Sequence, residues 1–86
     1  MKQYNVVIFK EKHGQRVFVH ETDEELHLIC QKVMKERLRE GWYDEDDDDW
    51  DWLQEGLTDP KIAYRFMMQH SDYEYEGIEL LSAETI

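Results

Sequence analysis

The feature that most constrains the fold of this chain is a run of acid near its middle, where positions 42 to 56 read WYDEDDDDWDWLQEG. Nine carboxylates lie between Asp44 and Asp59, and no Lys or Arg interrupts them. A chain of 86 residues buries only about 60–65% of the surface that its unfolded form exposes, so its core is thin. We therefore expect one domain, residues 1–86, whose core comes from the apolar segments that flank residues 42–57. We call residues 42–57 the acidic segment.

Two β-strands are predicted before the acidic segment. Residues 3–10 (QYNVVIFK) and 16–20 (RVFVH) are rich in β-branched and aromatic side chains, which is typical of strands. Gly14 lies between them and can adopt the positive φ that a tight hairpin turn needs. Successive residues of a strand point to opposite faces, and here both faces are partly apolar. The pattern predicts a hairpin that lies centrally or has one face under a helix.

The next segment, residues 22–41, has the pattern of an amphipathic helix. Thr22 is a suitable N-cap, and Glu25 three residues later completes the signature of a capping box, which stabilises a helix by about 1 kcal/mol. Basic residues fill the last turns, where cations suit the helix dipole, and Gly41 can close the helix. The apolar stripe at helical spacing consists of Leu26, Ile29, Cys30, Val33 and Met34.

A second helix is predicted over residues 58–70, on the other side of the acidic segment. Thr58 or Asp59 can cap it, and Pro60 falls in the first turn, where its missing N–H costs nothing. Its apolar stripe consists of Ile62, Ala63, Phe66 and Met67.

The closing residues 72–81 alternate like a strand, with a change of phase at Gly77 that indicates a short hairpin or, as we prefer, a bulge. The predicted order is β-β-α-(acidic segment)-α-β. This is an α+β fold in which a small antiparallel sheet, made of the N-terminal hairpin and the C-terminal strand, carries two helices on one face. The 17-residue connection over positions 41–57 is long, and long connections tend to be functional or disordered. Part of it has helical spacing, at Trp50, Leu53 and Leu57.

The charge of the chain is distributed unevenly. Its net charge is −11, with +3 in residues 1–20, −2 in residues 21–40 and −12 in residues 41–86. Such a field repels nucleic acid and anionic membranes and attracts basic partners. The single cysteine, Cys30, fits a reducing compartment, and no signal peptide or membrane span is recognisable. We expect a cytoplasmic protein that does not bind nucleic acid or membranes directly.

No catalytic motif is recognisable in the sequence. The four histidines lie far apart, and there is no HExxH pair, phosphate-binding glycine loop or nucleophile elbow. Cys30 falls on the apolar stripe of the first predicted helix, where a thiol is buried and inert. We therefore expect a protein that is not an enzyme and needs no cofactor.

The acidic segment also contains the spacing of a calcium-binding loop. Counted from Asp44, acids fall at positions 1, 3, 5 and 12, as in an EF-hand loop. Position 6 is Asp49, where the loop requires Gly, and position 8 is Asp51, where it has an aliphatic residue. A weak Ca²⁺ or Mg²⁺ site therefore remains an alternative, with the ligands Asp44, Asp46, Asp48 and Glu55.

A binding surface for a basic partner explains more of the acidic segment. Duplex DNA presents one phosphate charge about every 1.7 Å along its axis, and carboxylates on successive residues approach that density. Trp is the residue most enriched at binding hot spots, so one or two indoles can anchor a complex to which charge steers the partner. The predicted partner-binding residues are Asp44, Glu45, Asp46, Asp47, Asp48, Asp49, Trp50, Asp51, Trp52 and Glu55.

A short, single-domain, strongly acidic chain with DEDDDDWDW on an α+β frame resembles the small inhibitors that phages and mobile elements use against host nucleic-acid enzymes. Anti-restriction and anti-CRISPR proteins are examples. The resemblance covers charge and size and assigns no residue roles. It implies an inhibitor that occupies the nucleic-acid-binding surface of a partner by mimicking DNA or RNA.

An adaptor or assembly module is the other interpretation of the sequence. In that case the contacts are made by the sheet or by Tyr64, Tyr73 and Tyr75, and the acid only keeps the protein in solution.

Overall fold

The computed structural model describes residues 2–11, 14–69 and 77–85. Its elements are β1 (Lys2–Glu11), β2 (Gly14–His20), α1 (Asp23–Arg39), α2 (Trp50–Gly56), α3 (Pro60–Gln69) and β3 (Ile78–Thr85). The predicted α+β class with a small antiparallel sheet is confirmed. The number of helices was wrong, because the described residues form three helices in the order β-β-α-α-α-β. The additional helix, α2, lies inside the acidic segment.

The sheet has the strand order β2-β1-β3, and both neighbouring pairs are antiparallel. The N-terminal strand β1 is therefore central, whereas β2, the other strand of the predicted hairpin, lies at an edge. The C-terminal strand was predicted over residues 72–81, whereas β3 begins at Ile78 and ends at Thr85. Residues 72–76, and with them the choice between a hairpin and a bulge, lie outside the described part of the chain. The same holds for the hairpin residues 12 and 13.

One face of the sheet is covered by helices, and the other is open. Val7 and Phe9 of β1 are completely buried on the covered face, where Phe18 lies opposite Val7 and contacts Phe9 edge-on at 5.8 Å between ring centroids. The side chain of Arg37, from α1, lies above the ring of Phe9. Leu80 is on the same side at the β3 edge and stays 49% exposed, so the helix layer does not extend over it.

Helix α1 begins and ends as the sequence predicts. The hydroxyl of Thr22 accepts a hydrogen bond from the backbone N–H of Glu25 at 3.2 Å. The Glu25 carboxylate accepts from the backbone N–H of Glu21, one residue ahead of the cap, instead of completing the expected reciprocal bond to Thr22. Gly41 follows the last residues of the helix with a φ of 87°.

The buried side of α1 includes a residue that the pattern did not predict. Leu26, Cys30, Val33 and Met34 are buried as expected, and Ile29 is partly buried. Arg37 is also only 3% exposed, although the sequence indicated for it only a favourable interaction with the helix dipole. Arg side chains tolerate such positions when the planar guanidinium can stack on aromatic rings, as it does here.

Helix α3 packs against both α1 and α2. Asp59 is the cap, because its carboxylate accepts from the backbone N–H of Lys61 at 3.0 Å. Thr58, the other candidate, instead donates its hydroxyl to the carbonyl of Glu55. Pro60 is the first helical residue, as predicted. The buried residues Ala63, Phe66 and Met67 join those of β1, α1 and α2 in one hydrophobic core. Within the described residues, no helix has the length and apolar character needed to cross a membrane.

Candidate partner-binding surface

The acidic segment leaves α1 through a well-defined C-terminal motif. The backbone N–H of Gly41 donates to the carbonyl of Leu38 at 3.2 Å, and that of Trp42 donates to the carbonyl of Arg37 at 3.0 Å. These two bonds form a Schellman motif, which requires the left-handed conformation that Gly41 adopts. The motif turns the chain back along α1 and brings Trp42 beside Arg37.

Trp42 is then held by α1 through its indole. The guanidinium carbon of Arg37 lies 4.4 Å from the centroid of the Trp42 ring, a cation–π contact. The indole Nε1 donates to the Glu40 carboxylate at 3.1 Å. Arg37 Nε lies 3.8 Å from a Glu11 carboxylate oxygen, too far for a hydrogen bond, and its buried Nε and Nη2 have no hydrogen-bond partner among the described residues. Stacking on the Trp42 ring is therefore a main stabilising contact of the Arg37 guanidinium.

Residues 44–49 form consecutive turns closed by their own backbone and side chains. The backbone N–H of Asp47 donates to the carbonyl of Asp44, and that of Trp50 to the carbonyl of Asp47, at 3.0 and 3.1 Å. A carboxylate oxygen of Asp44 accepts from the N–H of Asp46, an arrangement typical of Asx turns. A carboxylate oxygen of Asp47 accepts from the N–H of Asp44. All six side chains are exposed.

Two aromatic side chains fasten the segment to α3. Tyr43 and Trp52 both pack edge-to-face on Phe66, each with 5.4 Å between ring centroids. Phe66 is itself buried in the core. The Tyr43 hydroxyl contacts the sulfur of Met67 at 3.6 Å. Edge-to-face pairs of this kind contribute about 0.5–1.5 kcal/mol each beyond the area that they bury, so both ends of residues 44–49 are anchored.

Helix α2 also attaches the acidic segment to α1 and α3. Leu53 is buried, and Gly56 lies so close to α3 that its α-carbon faces the backbone of Ala63. The side-chain amide of Gln31 on α1 donates to the carbonyls of Gly56 and Leu57, both at 3.1 Å, and so satisfies acceptors at the C-terminal end of α2. The helical spacing of Trp50, Leu53 and Leu57 thus indicated a real helix.

The structure separates the predicted partner-binding residues into two groups. Trp50 and Trp52 are half-buried and pack against the core. The acidic residues are all exposed, and we call them together the acidic surface: Asp44, Glu45, Asp46, Asp47, Asp48, Asp49, Asp51 and Glu55. No pattern in the sequence indicates that Phe66, Gln31 and Arg37 hold the acidic segment in place, because each lies in another element and its contact with the segment is tertiary.

The alternative metal site gains no support from the geometry. Within the described ranges, no three His, Cys, Asp or Glu side chains come together as a group that could hold a metal ion. Residues 50–56 form α2, so positions 7 to 12 of an EF-hand-like loop counted from Asp44 are helical instead of wrapped around a cation.

Cys30 and the two described histidines lie in contacts with neighbouring residues of the fold. Cys30 is buried, as predicted, and burial raises the pKa of its thiol to about 12 although Arg37 acts in the opposite direction. His27 packs against Tyr64 with 4.7 Å between ring centroids. His20 is buried, with Nδ1 3.3 Å from the carbonyl oxygen of Thr22. His13 and His70 lie outside the described residues.

Comparison with known proteins adds no assignment, since no family model, curated protein or solved structure matches the chain. A functional argument therefore depends on its own residues.

Proposed function

We propose that this protein is a non-enzymatic inhibitor that occupies a basic, nucleic-acid-binding surface of a partner protein. The observation that carries the proposal is the exposure of six successive carboxylates, residues 44–49, on turns anchored at both ends by aromatic contacts. A loop that serves only solubility has no need of such anchors. Carboxylates that are already ordered lose less conformational entropy when a partner binds them than carboxylates on a flexible loop do.

Electrostatics favours the same partner. The described ion pairs of Lys10, Arg16 and Arg37 are formed with carboxylates of the sheet and of α1, so none of them neutralises a carboxylate of the acidic segment. A groove lined with Lys and Arg would be attracted to the acidic surface as it is to a phosphate backbone, with fast and salt-sensitive association. Contact with the partner would then cover the carboxylates and the exposed edges of Trp50 and Trp52.

The test is a pull-down of nucleic-acid-binding proteins from a bacterial lysate, at low and high salt, with and without competing duplex DNA. One variant changes residues 46–49 from Asp to Asn. The matched control changes Glu21, Asp23, Glu24 and Glu25 to their amides, which alters the net charge by the same amount. These control residues lie at and just before the N-terminal end of α1, whereas residues 46–49 follow its C-terminal end in the chain.

The proposal expects the native protein and the control to capture a DNA- or RNA-binding protein that DNA or salt releases, and the Asn variant to capture none. Capture of the same partner by all three proteins, whatever the salt, would show that the acidic surface is not the binding site.

The assembly-module alternative has one observation in its favour. Val17, Val19 and Leu81 on the open face of the sheet are each at least half exposed. Tyr73 and Tyr75, which the same alternative invoked, lie outside the described residues.

A further inference from the structure

Five side chains form a closed network where the hairpin of β1 and β2 meets the C-terminal end of α1 and the start of the acidic segment. Arg16 donates from Nε to Glu11 at 2.8 Å and from Nη2 to Glu40 at 3.3 Å. The other carboxylate oxygen of Glu40 accepts from the indole of Trp42, which stacks on Arg37. The network closes at Arg37 Nε, 3.8 Å from the second carboxylate oxygen of Glu11. We call these five residues the hairpin junction.

The hairpin junction is balanced in charge and partly removed from water. It contains two arginines and two glutamates. The side chains of Glu11 and Arg16 are 17% and 26% exposed, and Arg37 is buried. Arg16 also pairs with Glu36, so each of its three guanidinium nitrogens has a carboxylate partner. Because the guanidinium is a planar, rigid fork, three such partners give it one defined orientation.

Arg16 holds the Glu40 carboxylate against a repulsion within α1. Glu36 and Glu40 are four residues apart, a spacing at which like charges on a helix repel. Arg16 contacts both carboxylates and neutralises this repulsion. The Glu40 side chain is 49% exposed, so without Arg16 it is free to turn toward solvent, and the indole of Trp42 then loses its acceptor.

Trp42 is the residue through which the hairpin junction reaches the acidic segment. Its indole is fixed at two points, by Glu40 at Nε1 and by Arg37 under the ring. The turns of residues 44–49 begin two positions later in the chain. The direction in which these turns leave α1 therefore depends on the orientation of this indole, in addition to the backbone bonds of the Schellman motif.

We propose that the hairpin junction couples the hairpin to the acidic segment, and that Arg16 positions Trp42 through Glu40. The two oxygens of a single carboxylate transmit the effect, one accepting from Arg16 and the other from Trp42. A change in the hairpin that withdraws Arg16 therefore loosens the turns of residues 44–49. The coupling is a property of the free protein, so it can fail or hold whether or not the acidic surface binds a basic partner.

Amide hydrogen exchange followed by NMR tests the coupling at the backbone N–H groups of Asp47 and Trp50, whose hydrogen bonds close the turns. Exchange at such groups reports local opening. Arg16→Gln should accelerate it by about two- to fivefold, the range that a partly exposed ion pair supports. The matched control, Arg39→Gln, removes the same charge from the exposed side of the last turn of α1 and should leave both rates unchanged.

A double-mutant cycle then shows whether Arg16 acts through Trp42. Trp42→Phe keeps an aromatic ring on Arg37 but removes the indole N–H, so it breaks the same chain of contacts at its other end. This variant should also accelerate exchange at Asp47 and Trp50. The double variant should exchange no faster than the faster of the two single variants, because the second substitution has no further contact to release.

Two results would overturn the proposal. The first is unchanged exchange at Asp47 and Trp50 in either single variant, even if the N–H of Val33 in the buried middle of α1 exchanges faster, because the substituted residue would then support only the fold as a whole. The second is a double variant in which the two accelerations multiply, since the residues would then act independently. Should Arg16→Gln prove unfolded by circular dichroism, Arg16→Lys replaces it, because lysine keeps the charge without the fork.

Discussion

At the scale of single residues, burial makes the thiol of Cys30 a much weaker acid than an exposed thiol. The thiol is completely buried, and its pKa rises from 9.0 to about 12 because the folded protein cannot solvate a thiolate there. In the unfolded chain the same thiol ionises near its ordinary value. The folded state therefore keeps a proton that the unfolded state loses as the pH rises above 9.0.

The first prediction follows from that difference. Ionisation of Cys30 should leave the free energy of unfolding unchanged below pH 9.0 and should lower it as the pH rises toward 12, by up to about 1.4 kcal/mol for each pH unit. Urea unfolding of the native protein and of Cys30→Ala at about pH 8 and about pH 10.5 measures it. The difference in free energy of unfolding between the native protein and Cys30→Ala should be smaller at the higher pH. A difference that is the same at both values would contradict the burial of the thiol.

Two glycines in this protein are required for different reasons, and the second prediction separates them. A Cβ on Gly56 would lie 3.0 Å from Met34 Cε and 3.1 Å from the Cα of Ala63. The Met34 side chain can rotate away, but the backbone of Ala63 can move only if α3 shifts. Gly56→Ala should destabilise the protein by about 1–3 kcal/mol in urea unfolding, as overpacking does. Gly41 has open space around its α-carbon, but its φ is 87°. Gly41→Ala should therefore lower the free energy of unfolding by about 1 kcal/mol, because alanine adopts this left-handed conformation less readily than glycine.

Asparagine distinguishes the two cases. It tolerates the left-handed conformation, so Gly41→Asn should be milder than Gly41→Ala. It is larger than alanine, so Gly56→Asn should be worse than Gly56→Ala. The reverse order at either position would mean that the reason given for that glycine is wrong.

At the scale of elements, the acidic segment is stabilised by its aromatic anchors against the repulsion of its own charges. Tyr43 and Trp52 attach to Phe66, and Trp42 attaches to Arg37. Removing charge between these anchors should therefore relieve strain without loosening the attachment. Asn keeps the side-chain oxygen through which Asp47 accepts from the backbone of Asp44.

The third prediction is that changing residues 46–49 from Asp to Asn raises the free energy of unfolding by about 1 kcal/mol at low salt, and by much less at about 0.5 M salt, where repulsion is screened. Thermal unfolding at both salt concentrations measures it. The control with four amides at positions 21 and 23–25 should lose stability instead, because carboxylates there favour the N-terminus of α1. Lower stability of the Asn variant at low salt would show that the aspartates support the fold.

At the scale of the whole molecule, the exposed acidic residues of the acidic segment and the exposed apolar residues of the sheet lie in two different layers. Arg16 pairs with Glu11 in the hairpin and with Glu36 and Glu40 on α1, and so ties the sheet to the helix layer. The acidic surface lies in the helix layer, and the apolar open face lies on the sheet. An acidic surface and an apolar surface therefore lie on opposite sides of the sheet.

The fourth prediction concerns whether these layers unfold together. All three tryptophans, Trp42, Trp50 and Trp52, lie in the acidic segment, so tryptophan fluorescence, excited selectively, reports on that segment. Circular dichroism reports mainly on the helices and sheet. Because the segment packs on the common core through Phe66, both signals should change at the same urea concentration, as in a two-state transition. An earlier fluorescence transition would show that the acidic segment is released before the fold is lost.

Much of the architecture was determined by the sequence, because it depends on short-range patterns. The Thr22 cap and the helical stripe predicted α1, Pro60 and its stripe predicted α3, and the β-branched runs predicted β1 and β2. The local charge of residues 44–49 likewise determined that they are exposed, since burying such a run without cations is prohibitive.

Only the tertiary structure decided how the acidic segment is held and which surfaces stay open. Helix α2 is too short to be stable alone, and it forms because Leu53 and Gly56 are buried where it packs against α1 and α3. Arg37 is buried because the turn after Gly41 places Trp42 over it. The apolar sequences of β1 and β2 indicated two partly buried faces, and packing selected which of them the helices cover. Each of these outcomes depends on contacts between residues far apart in the chain, which no local pattern encodes.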